Sequence, residues 1–325
     1  DQPRSRGLGD VYKRQEIQPS GIRRFFDAAS TMSNVISLGV GEPDFDTPWH
    51  VREEGIYSLE KGRTFYTGNS GLLELREEIG RYLDRRFGLS YSADEILVTV
   101  GGSEAIDIGF RTMLDPGDEV ITTPLTFAAS SNCVLYCGGT PVFADVDPKT
   151  YNIDPEDIRR KITDKTKAII AVHLAGQPCD MDEIHKIAKE HDLLVIEDGA
   201  HALGSVYKGK KVGTLSDMTT FSFHPVKPIT TGEGGMIVTD NEEFYQKMML
   251  FRSHGITRDE NLMTRNDGPW FYQQLDLGYN YRITDIQCAL GCSQMKKLDR
   301  FLARRKEIVA RYNDCLLYTS DAADD

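Results

Sequence analysis

The residues of this sequence best suited to chemistry lie in one stretch, 221–235, which reads FSFHPVKPITTGEGG. Pro225 and Pro228 flank Lys227. Because proline has a fixed φ and no N–H, neither a helix nor a sheet continues through this turn. The lysine stands among apolar and hydroxyl side chains, and burial there lowers the pKa of an amine toward the range in which it forms a Schiff base. The alternative is an ordinary solvent-exposed loop lysine.

A second candidate, an anion site, follows a predicted buried strand at 96–100. Gly102, Ser103 and Glu104 stand between that strand and a predicted helix. The first turn of a helix has backbone N–H groups without intrahelical partners, and the helix dipole favours negative charge there. The segment therefore suits a phosphate group, although an ordinary strand-to-helix turn would look the same.

A third candidate is the carboxylate of Asp198, at the end of an apolar run that begins at Leu193. Such a run predicts a strand buried on both faces. Side chains alternate along a strand, so Glu197 points away from Asp198. A carboxylate in this position favours the charged form of a neighbouring base. The alternative role for Asp198 is the N-cap of a following helix.

The lysine stretch resembles the cofactor-lysine segment of the DegT/DnrJ-type sugar aminotransferases, which are pyridoxal 5'-phosphate (PLP) enzymes of fold type I. Ser222 five residues before the lysine, the aromatic-Ser-Phe-His run and the trailing Gly-Glu-Gly-Gly carry this resemblance. It extends over about 117–314 through TPLTFAASSN, AVHLAGQPCDMDEI, VIEDGAHALG and LGYNYRITDIQCALG. Within the family it is nearest to the UDP-4-amino-4,6-dideoxy-N-acetyl-beta-L-altrosamine transaminases of pseudaminic acid synthesis. The resemblance implies PLP as the cofactor and Lys227 as its covalent attachment point.

The same resemblance implies roles for further residues around PLP. Asp198 would keep the pyridine nitrogen protonated, raising its pKa by roughly 1–3 units, and Lys227 would also act as general acid and base. His201 would lie beside the 3-hydroxyl group or be a structural histidine, and Phe127 would stack on the ring or belong to the core. The implied catalytic residues are Lys227 and Asp198, and the implied cofactor-binding residues are Gly102, Ser103, Glu104, Phe127, Asp198, His201, Ser222, Lys227 and Asn280.

Two of the implied phosphate contacts come from different groups of aminotransferases. Asn280, in GYNYR, resembles a residue that reaches across from the partner subunit, which implies a homodimer with shared active sites. Tyr66 resembles the tyrosine that has the same task in aspartate-type aminotransferases. Gln177 and His173 follow a predicted strand and are further candidates for the border of the site.

The front of the chain resembles another group. Residues 21–120 are similar to the class I aminotransferases of the aspartate type through GEPDFDTP, FYTGNSG and VTVGGSEA. The phrase PGDEV at 116–120 is common to both groups, so we expect a chimera joined there. The two ends resemble translated adapter sequence, and we expect them to be disordered or at most a helical extension. The predicted divisions are a non-native segment 1–15, an aspartate-aminotransferase-like part 16–120, a sugar-aminotransferase-like part 121–283, a long helix 284–314 leading to a truncated small domain, and a non-native tail 315–325.

The length and composition of the chain limit the classes of partner that it could bind. The chain has 325 residues, 40% hydrophobic and 27% charged, with a formal net charge of −12. This length suits one large α/β domain with part of a smaller one, and the acidic balance argues against nucleic-acid or membrane partners. No apolar run reaches the length of a membrane span, and no signal segment opens the chain. The six cysteines lack metal-ligand spacing, which predicts free thiols in the cytoplasm and no metal site.

Strands alternate with helices from residue 116 on, which predicts a mostly parallel sheet with helices on both faces. By the resemblance, this is the large domain of a fold type I PLP transferase, with the C-terminal small domain largely missing. The predicted strands are 96–100, 119–122, 141–144, 168–173, 193–197, 219–223 and 235–239. The predicted helices are 51–60, 71–87, 105–113, 128–136, 155–162, 181–191 and a long helix at 284–313 interrupted at Gly291.

The predicted function is transamination from an amino acid, glutamate by family analogy, to C4 of a UDP-linked 4-keto-6-deoxy sugar. The diphosphate of that acceptor needs cations. Arg252, His254, Arg258 and Arg265 are candidates, although they would equally form a solvated loop. The alternatives are an aspartate-type amino-acid aminotransferase and a PLP-binding but inactive fragment.

Overall fold

A computed structural model describes residues 46–63, 68, 70–88 and 90–321. Tyr66, the predicted segment 1–15 and most of the predicted aspartate-type motifs before residue 68 lie outside the described residues. Among the described residues, no helix has both the length and the apolar composition needed to cross a membrane.

The centre of the fold is a seven-stranded sheet with the strand order β1-β9-β8-β5-β4-β2-β3. The strands from β8 to β3 run parallel to one another, whereas β9 is antiparallel to both of its neighbours. The mostly parallel sheet predicted from the sequence is therefore confirmed. Its strands are β1 (Ile96–Thr99), β2 (Glu119–Thr122), β3 (Thr140–Phe143), β4 (Thr166–Val172), β5 (Leu194–Asp198), β8 (Met218–Ser222) and β9 (Gly235–Val238).

Two short hairpins lie outside this sheet. One joins β6 and β7, and the other joins β10 and β11. Their strands are β6 (Val206–Tyr207), β7 (Lys210–Lys211), β10 (Ile256–Thr257) and β11 (Gln273–Gln274).

Helices cover both faces of the sheet, and the most amphipathic of them turn an apolar stripe toward it. On one face, the buried side of the helix that follows β1 packs against β8 and β9 in a core that includes Phe110 and Ile237. On the other face, Ile184 and Ile187 pack against Ile169 and Val195. The helices are α1 (Trp49–Glu60), α2 (Leu73–Phe87), α3 (Gly102–Arg111), α4 (Ala129–Tyr136), α5 (Pro155–Lys161), α6 (Met181–His191), α7 (Glu242–Phe251), α8 (Asp285–Met295) and α9 (Leu298–Asp321).

The start of α5 follows the sequence signal. The Asp154 carboxylate accepts the Glu156 N–H at 2.9 Å and Pro155 occupies the first turn, so a donor that the helix cannot satisfy gains an acceptor. The helix ends at Lys161, one residue before the predicted boundary.

The prediction of one long C-terminal helix interrupted at Gly291 is wrong. Gly291 lies inside α8, and the chain breaks at 296–297 between α8 and α9. A Cβ at Gly291 would come within 3.0 Å of both Leu75 and Thr231, so the glycine allows α8 to pack closely against its neighbours. Helix α9 then runs to Asp321, so the helical extension expected for the tail is present through that residue.

All six cysteines lie within the described residues and carry free thiols. Cys133, Cys179 and Cys288 are buried, whereas Cys315 is exposed. Burial raises the pKa of the Cys288 thiol to about 12, so this group stays protonated and behaves as a small apolar side chain.

Candidate active site

The carboxyl ends of parallel strands meet at one edge of a sheet, where α/β proteins place their ligands. Asp198 is the last residue of β5 and Ser222 the last residue of β8, and these two strands are neighbours. Lys227 follows β8 by five residues. The predicted residues of the site therefore converge at one edge.

The start of α3 lies against the end of β8. A Cβ added to Gly102 would come within 3.0 Å of the Ser222 Cβ and 3.4 Å of the Phe221 carbonyl oxygen. Gly235 approaches even more closely, since a Cβ there would lie 2.5 Å from the Gly102 nitrogen. Ser103 is exposed. Glycine in the Gly-Glu-Gly-Gly run thus brings an open helix N-terminus and a serine side chain together, an arrangement suited to an anion.

Glu104 stands in the first turn of the same helix. Its Oε2 accepts the Val100 N–H at 3.1 Å, so the side chain closes the loop that enters the helix. Burial raises the pKa of the carboxyl to about 7, while the positive charge of Arg252 opposes that shift. Near neutral pH a large fraction of this carboxyl is therefore uncharged, which limits its repulsion of an anion at the helix start.

Asp198 is 6% exposed, and both of its carboxylate oxygens are held. Ser130 Oγ donates to Oδ2 at 2.8 Å, and the Ala200 N–H donates to Oδ1 at 3.1 Å. Three residues before Ser130, Phe127 is 76% exposed. An exposed aromatic side chain on the segment that also orients the carboxylate is available to a planar ligand, and Phe127 does not belong to the core.

Lys227 is half-buried in a turn in which its own N–H donates to the His224 carbonyl at 2.9 Å. Burial lowers the pKa of its amine, and the negative charge of Asp198 partly opposes this. The pKa of His201 is likewise lowered by burial and by the charge of Lys227, and raised by Asp198. The lysine, the carboxylate and the imidazole therefore share one electrostatic environment.

A cavity of about 890 Å³ opens beside Lys227 and His201. Its wall also includes Arg305, Lys306 and Leu302 from α9. Space for a ligand is thus present next to the Lys227 side chain.

The turn that bears Lys227 is fastened by side chains of the two C-terminal helices. Gln294 Oε1 accepts the Thr230 N–H at 3.0 Å, Gln287 Nε2 donates to the Glu233 carbonyl at 2.8 Å, and Arg305 donates to the Lys227 carbonyl at 3.0 Å. Sequence reasoning missed these three residues. Their polar types on helices gave no signal of partners that lie more than 50 residues away.

Gln177 and His173 lie at the end of β4 in different environments. Gln177 is exposed. The His173 ring is 1% exposed and bonds to Glu197, so it lies beneath the sheet edge rather than on the border of the cavity.

Asn280 is exposed and pairs through its backbone with Ser253, on a segment that follows α7. Nearby, a cavity of about 400 Å³ is lined by Ser253, His254, Thr257 and Arg258, with Ile256 and Arg282. Within the part of the chain that the structure describes, the buried Ser253 Oγ has no hydrogen-bond partner. The cavity therefore combines cations with an available hydroxyl, which suits an anion.

Two of the four cations predicted to meet an anion do not line this cavity. Arg252 is 1% exposed, and one of its amino groups donates to the Tyr281 carbonyl at 3.0 Å. Burial lowers its pKa to about 10. Arg265 is exposed, lies 3.6 Å from the Asp267 carboxylate and stacks on Phe271. The prediction that Arg252 forms part of an accessible basic patch is wrong, because its guanidinium supports the interior.

The residues at the sheet edge fit PLP by their chemistry. An open helix start with Ser222 suits the phosphate, a buried carboxylate suits the ring nitrogen, and a lysine of lowered pKa suits the aldehyde. The close approach of Gly235 to Gly102, which a larger residue would block, preserves the anion site. Among the residues that the structure describes, no group of three or more His, Cys, Asp or Glu side chains could hold a metal ion.

Comparison with known proteins gives a family match. The model of the DegT/DnrJ/EryC1/StrS aminotransferase family matches residues 67–321. The match crosses the junction expected at 116–120 and begins well before it. The finding supports the predicted sugar-aminotransferase family and does not show a chimera with an aspartate-type enzyme.

Two curated relatives are informative. GDP-perosamine synthase from Caulobacter vibrioides is 43% identical over 288 residues, which cover 88% of this chain and 71% of the relative. UDP-4-amino-4,6-dideoxy-N-acetyl-beta-L-altrosamine transaminase from Campylobacter jejuni is 38% identical over 250 residues, covering 76% of this chain and 62% of the relative. Other relatives are matched over 51% of their length, so the chain spans about half to seven tenths of the curated relatives it matches.

A solved structure supports the same assignment. The putative sugar aminotransferase Spr1654 from Streptococcus pneumoniae, in its PLP form, has a TM-score of 0.71 and 30% identity. The match covers 84% of this chain and 71% of that structure. The family model covers well over half of the chain, and the relatives and the solved structure agree with it. This chain belongs to the DegT/DnrJ/EryC1/StrS aminotransferase family.

Proposed function

We propose that this protein binds PLP and transfers an amino group from an amino acid, glutamate, to C4 of a nucleotide-linked 4-keto-6-deoxy sugar. The observation that carries the proposal is that Lys227, Asp198 and His201 lie together at the sheet edge. Burial lowers the pKa of the Lys227 amine there, and the negative charge of Asp198 partly opposes that shift. The names of the two relatives, a GDP-perosamine synthase and a UDP-amino-sugar transaminase, support the same class of reaction.

Bound PLP supplies an electron-accepting ring and an aldehyde that carries the amino group between the two substrates. Asp198 would accept a hydrogen bond from the ring nitrogen and would stabilise a proton on that atom. Ser130 and the Ala200 N–H each donate a hydrogen bond to its carboxylate and keep it oriented. The N–H groups of Gly102 and Ser103 bind the phosphate.

Lys227 moves the proton. Its Nζ would hold the cofactor at rest, and as a free amine it would accept the proton at the Cα of the amino-acid donor. An amine can act as a base only when it is neutral, so the lowered pKa of Lys227 favours this step. Phe127 would cover one face of the ring, and His201 would lie beside its 3-hydroxyl group.

The acceptor is proposed to be a UDP-linked hexosamine, and its diphosphate is proposed to bind at the cavity lined by Ser253, His254 and Arg258. This cavity lies on the segment of Asn280, which we propose reaches the cofactor phosphate of a partner subunit. The protein would then act as a homodimer with shared active sites. Its location in the cytoplasm remains a prediction.

We also retain the proposal that residues before about 117 derive from an aspartate-type aminotransferase. The motif FYTGNSG and its neighbours support it, whereas the family match that begins at residue 67 counts against it. Strand β1 lies before the expected junction and pairs with β9, which lies after it. A junction at 116–120 would therefore leave the sheet continuous. Such a chimera would arise by recombination or by an error in assembling the sequence. Sequencing reads from the source sample that span codon 118 without interruption would contradict the assembly error.

The experiment compares two reactions of the purified protein with PLP. One contains glutamate and a UDP-linked 4-keto-6-deoxy sugar, and the other contains aspartate and 2-oxoglutarate. We expect turnover only in the first, together with a visible absorbance band that Lys227→Ala abolishes. Turnover only in the second would indicate an aspartate-type enzyme. A band without turnover in either would indicate a PLP-binding but inactive fragment.

A further inference from the structure

A buried ionisable pair, His173 and Glu197, lies beside Asp198, with the Glu197 side chain on the opposite face of β5. Glu197 is 0% exposed and His173 is 1% exposed, and neither lines the cavity beside Lys227. A carboxylate that is removed from water is costly unless hydrogen bonds replace its hydration. The proposed steps of transamination do not use either residue, so their retention in the interior calls for a physical reason.

The hydrogen bonds define the state of the pair. The Cys179 N–H donates to His173 Nδ1 at 3.2 Å, so this nitrogen carries no proton and the proton of the neutral ring is on Nε2. Nε2 lies 2.8 Å from Glu197 Oε2 and therefore donates to it. Thr219 Oγ donates to the other carboxylate oxygen at 2.8 Å. Because Nδ1 accepts and Nε2 donates, the imidazole brings no positive charge to the carboxylate of Glu197.

The same histidine also contacts Asp198. Its backbone N–H donates to the Asp198 carbonyl at 3.1 Å, while its ring holds the side chain of the preceding Glu197. Asp198 is in register with Val172 on one side and Thr220 on the other. The residue that follows β4 thus contacts the last two residues of β5, Asp198 through its main chain and Glu197 through its side chain.

We propose that the His173–Glu197 pair is a positioning element for Asp198, which fixes the end of β5 and adds negative potential behind the carboxylate that faces the cofactor nitrogen. The inference rests on the proposed binding of PLP at Asp198. A negative charge close to a protonated ring nitrogen stabilises that proton, and the effect is largest where water is excluded.

Two further ionisable groups, Cys179 and Tyr91, interact with the charge of Glu197, and neither cancels it. Burial raises the pKa of Tyr91 and of Cys179 to about 12, with the charge of Glu197 contributing in the same direction, so both are neutral near pH 7. Among these described neighbours, none supplies a cation to Glu197.

The test is Glu197→Gln, which keeps the size of the side chain. The amide oxygen can accept from His173, and the amide nitrogen can donate to the Thr219 hydroxyl. We expect a folded protein whose PLP dissociation constant, measured by absorbance titration, rises about three- to tenfold. Loss of a negative charge makes a nearby proton less stable. The pH midpoint of the visible band of bound PLP should therefore fall, by roughly half a unit to one unit.

The matched control is Glu243→Gln, which removes the same charge from an exposed position on α7 that pairs with Lys247. Its dissociation constant and midpoint should equal those of the wild type. If Glu197→Gln matches this control in both quantities and only melts at a lower temperature, the pair is merely a stabilising contact and the inference is overturned. A wild-type protein that fails to bind PLP would overturn the proposed function as well, so the two failures are distinguishable.

A measurement on the wild-type protein decides the case if Glu197→Gln does not fold. In ¹⁵N-histidine-labelled protein, His173 should give the signature of a neutral ring protonated on Nε2, with and without PLP. An imidazolium at His173 would leave the pair without net charge and would overturn the inference.

Discussion

The candidate site has two ends, the carboxylate of Asp198 and the turn that bears Lys227, and the fold holds them in different ways. Asp198 ends a central strand, is almost completely buried and has both oxygens hydrogen-bonded. Lys227 stands in a turn outside the sheet, is half-buried and opens onto a cavity of about 890 Å³. In the proposed function the carboxylate holds one charge in one place, whereas the amine attaches, detaches and carries a proton. The fold accordingly buries the carboxylate and leaves the lysine half-buried beside a cavity.

The two ends also depend on different parts of the chain. The Asp198 end is held by residues close to the strand ends, including Ser130 and His173. The Lys227 turn is held by Gln294 and Arg305, from helices that are the last in the described chain. Changes in the C-terminal helices should therefore alter the lysine end and leave the carboxylate end intact.

The largest expected effect comes from the Asp198 end. Asp198→Asn keeps the shape of the side chain but removes the charge that stabilises the protonated ring nitrogen. A loss of roughly 1–3 pKa units at that nitrogen corresponds to about 1.4–4 kcal/mol. The value of kcat/KM for transamination should accordingly fall by roughly 10- to 1000-fold. Full activity in this variant, with a normal visible band, would show that Asp198 does not have this role.

An intermediate effect should follow from loosening the lysine turn. Gln294→Ala removes the acceptor of the Thr230 N–H and should lower the free energy of unfolding by about 1 kcal/mol. It should reduce the turnover rate several-fold while leaving PLP affinity nearly unchanged, because Asp198 and the helix start are untouched. Chemical denaturation and steady-state kinetics measure the two effects.

The control for this prediction is Gln274→Ala. That glutamine is exposed on a surface hairpin, where its Nε2 donates to the Asp276 carbonyl. Gln274→Ala should change neither the free energy of unfolding nor the turnover rate. Equal effects of the two substitutions would argue against a special role for the contact between α8 and the lysine turn.

The smallest effect concerns Glu104. Its folded-state pKa of about 7 lies above the unfolded value of 4.5. Between these values the folded state binds more protons than the unfolded state, so this group makes the protein less stable as pH rises from 4.5 to 7. Glu104→Gln keeps the acceptor for the Val100 N–H and should make the decline shallower. The difference between the melting temperatures at pH 5 and pH 8 measures this decline. If that difference is the same in Glu104→Gln as in the wild type, the raised pKa of Glu104 is contradicted.

Much of this comparison is readable in the sequence. Alternation of apolar strands and amphipathic helices predicts the parallel sheet, and Asp154 with Pro155 predicts the start of α5, because these signals are local. The Lys227 turn is visible for the same reason, since two prolines leave few conformations. Ser222 beside Gly102 follows once both are placed at strand and helix ends.

The remainder depends on contacts that are distant in the chain. Gly291 has the local signature of a helix break, but its packing against Leu75 decides its role. Arg252 looks like a surface cation, yet the segment around Tyr281 buries it. Glu197 was expected only to point away from Asp198, and its partner His173 became visible only when β4 and β5 were paired.

The central claim is that Lys227 is the residue that holds PLP, opposite the fixed carboxylate at Asp198. The most direct measurement is reduction of the PLP-loaded protein with borohydride, followed by digestion and mass spectrometry of the peptides. We predict one stable cofactor adduct, on the peptide that contains Lys227, and no adduct on that peptide in Lys227→Ala. An adduct on another lysine, or none at all in a protein that remains folded, would contradict the account.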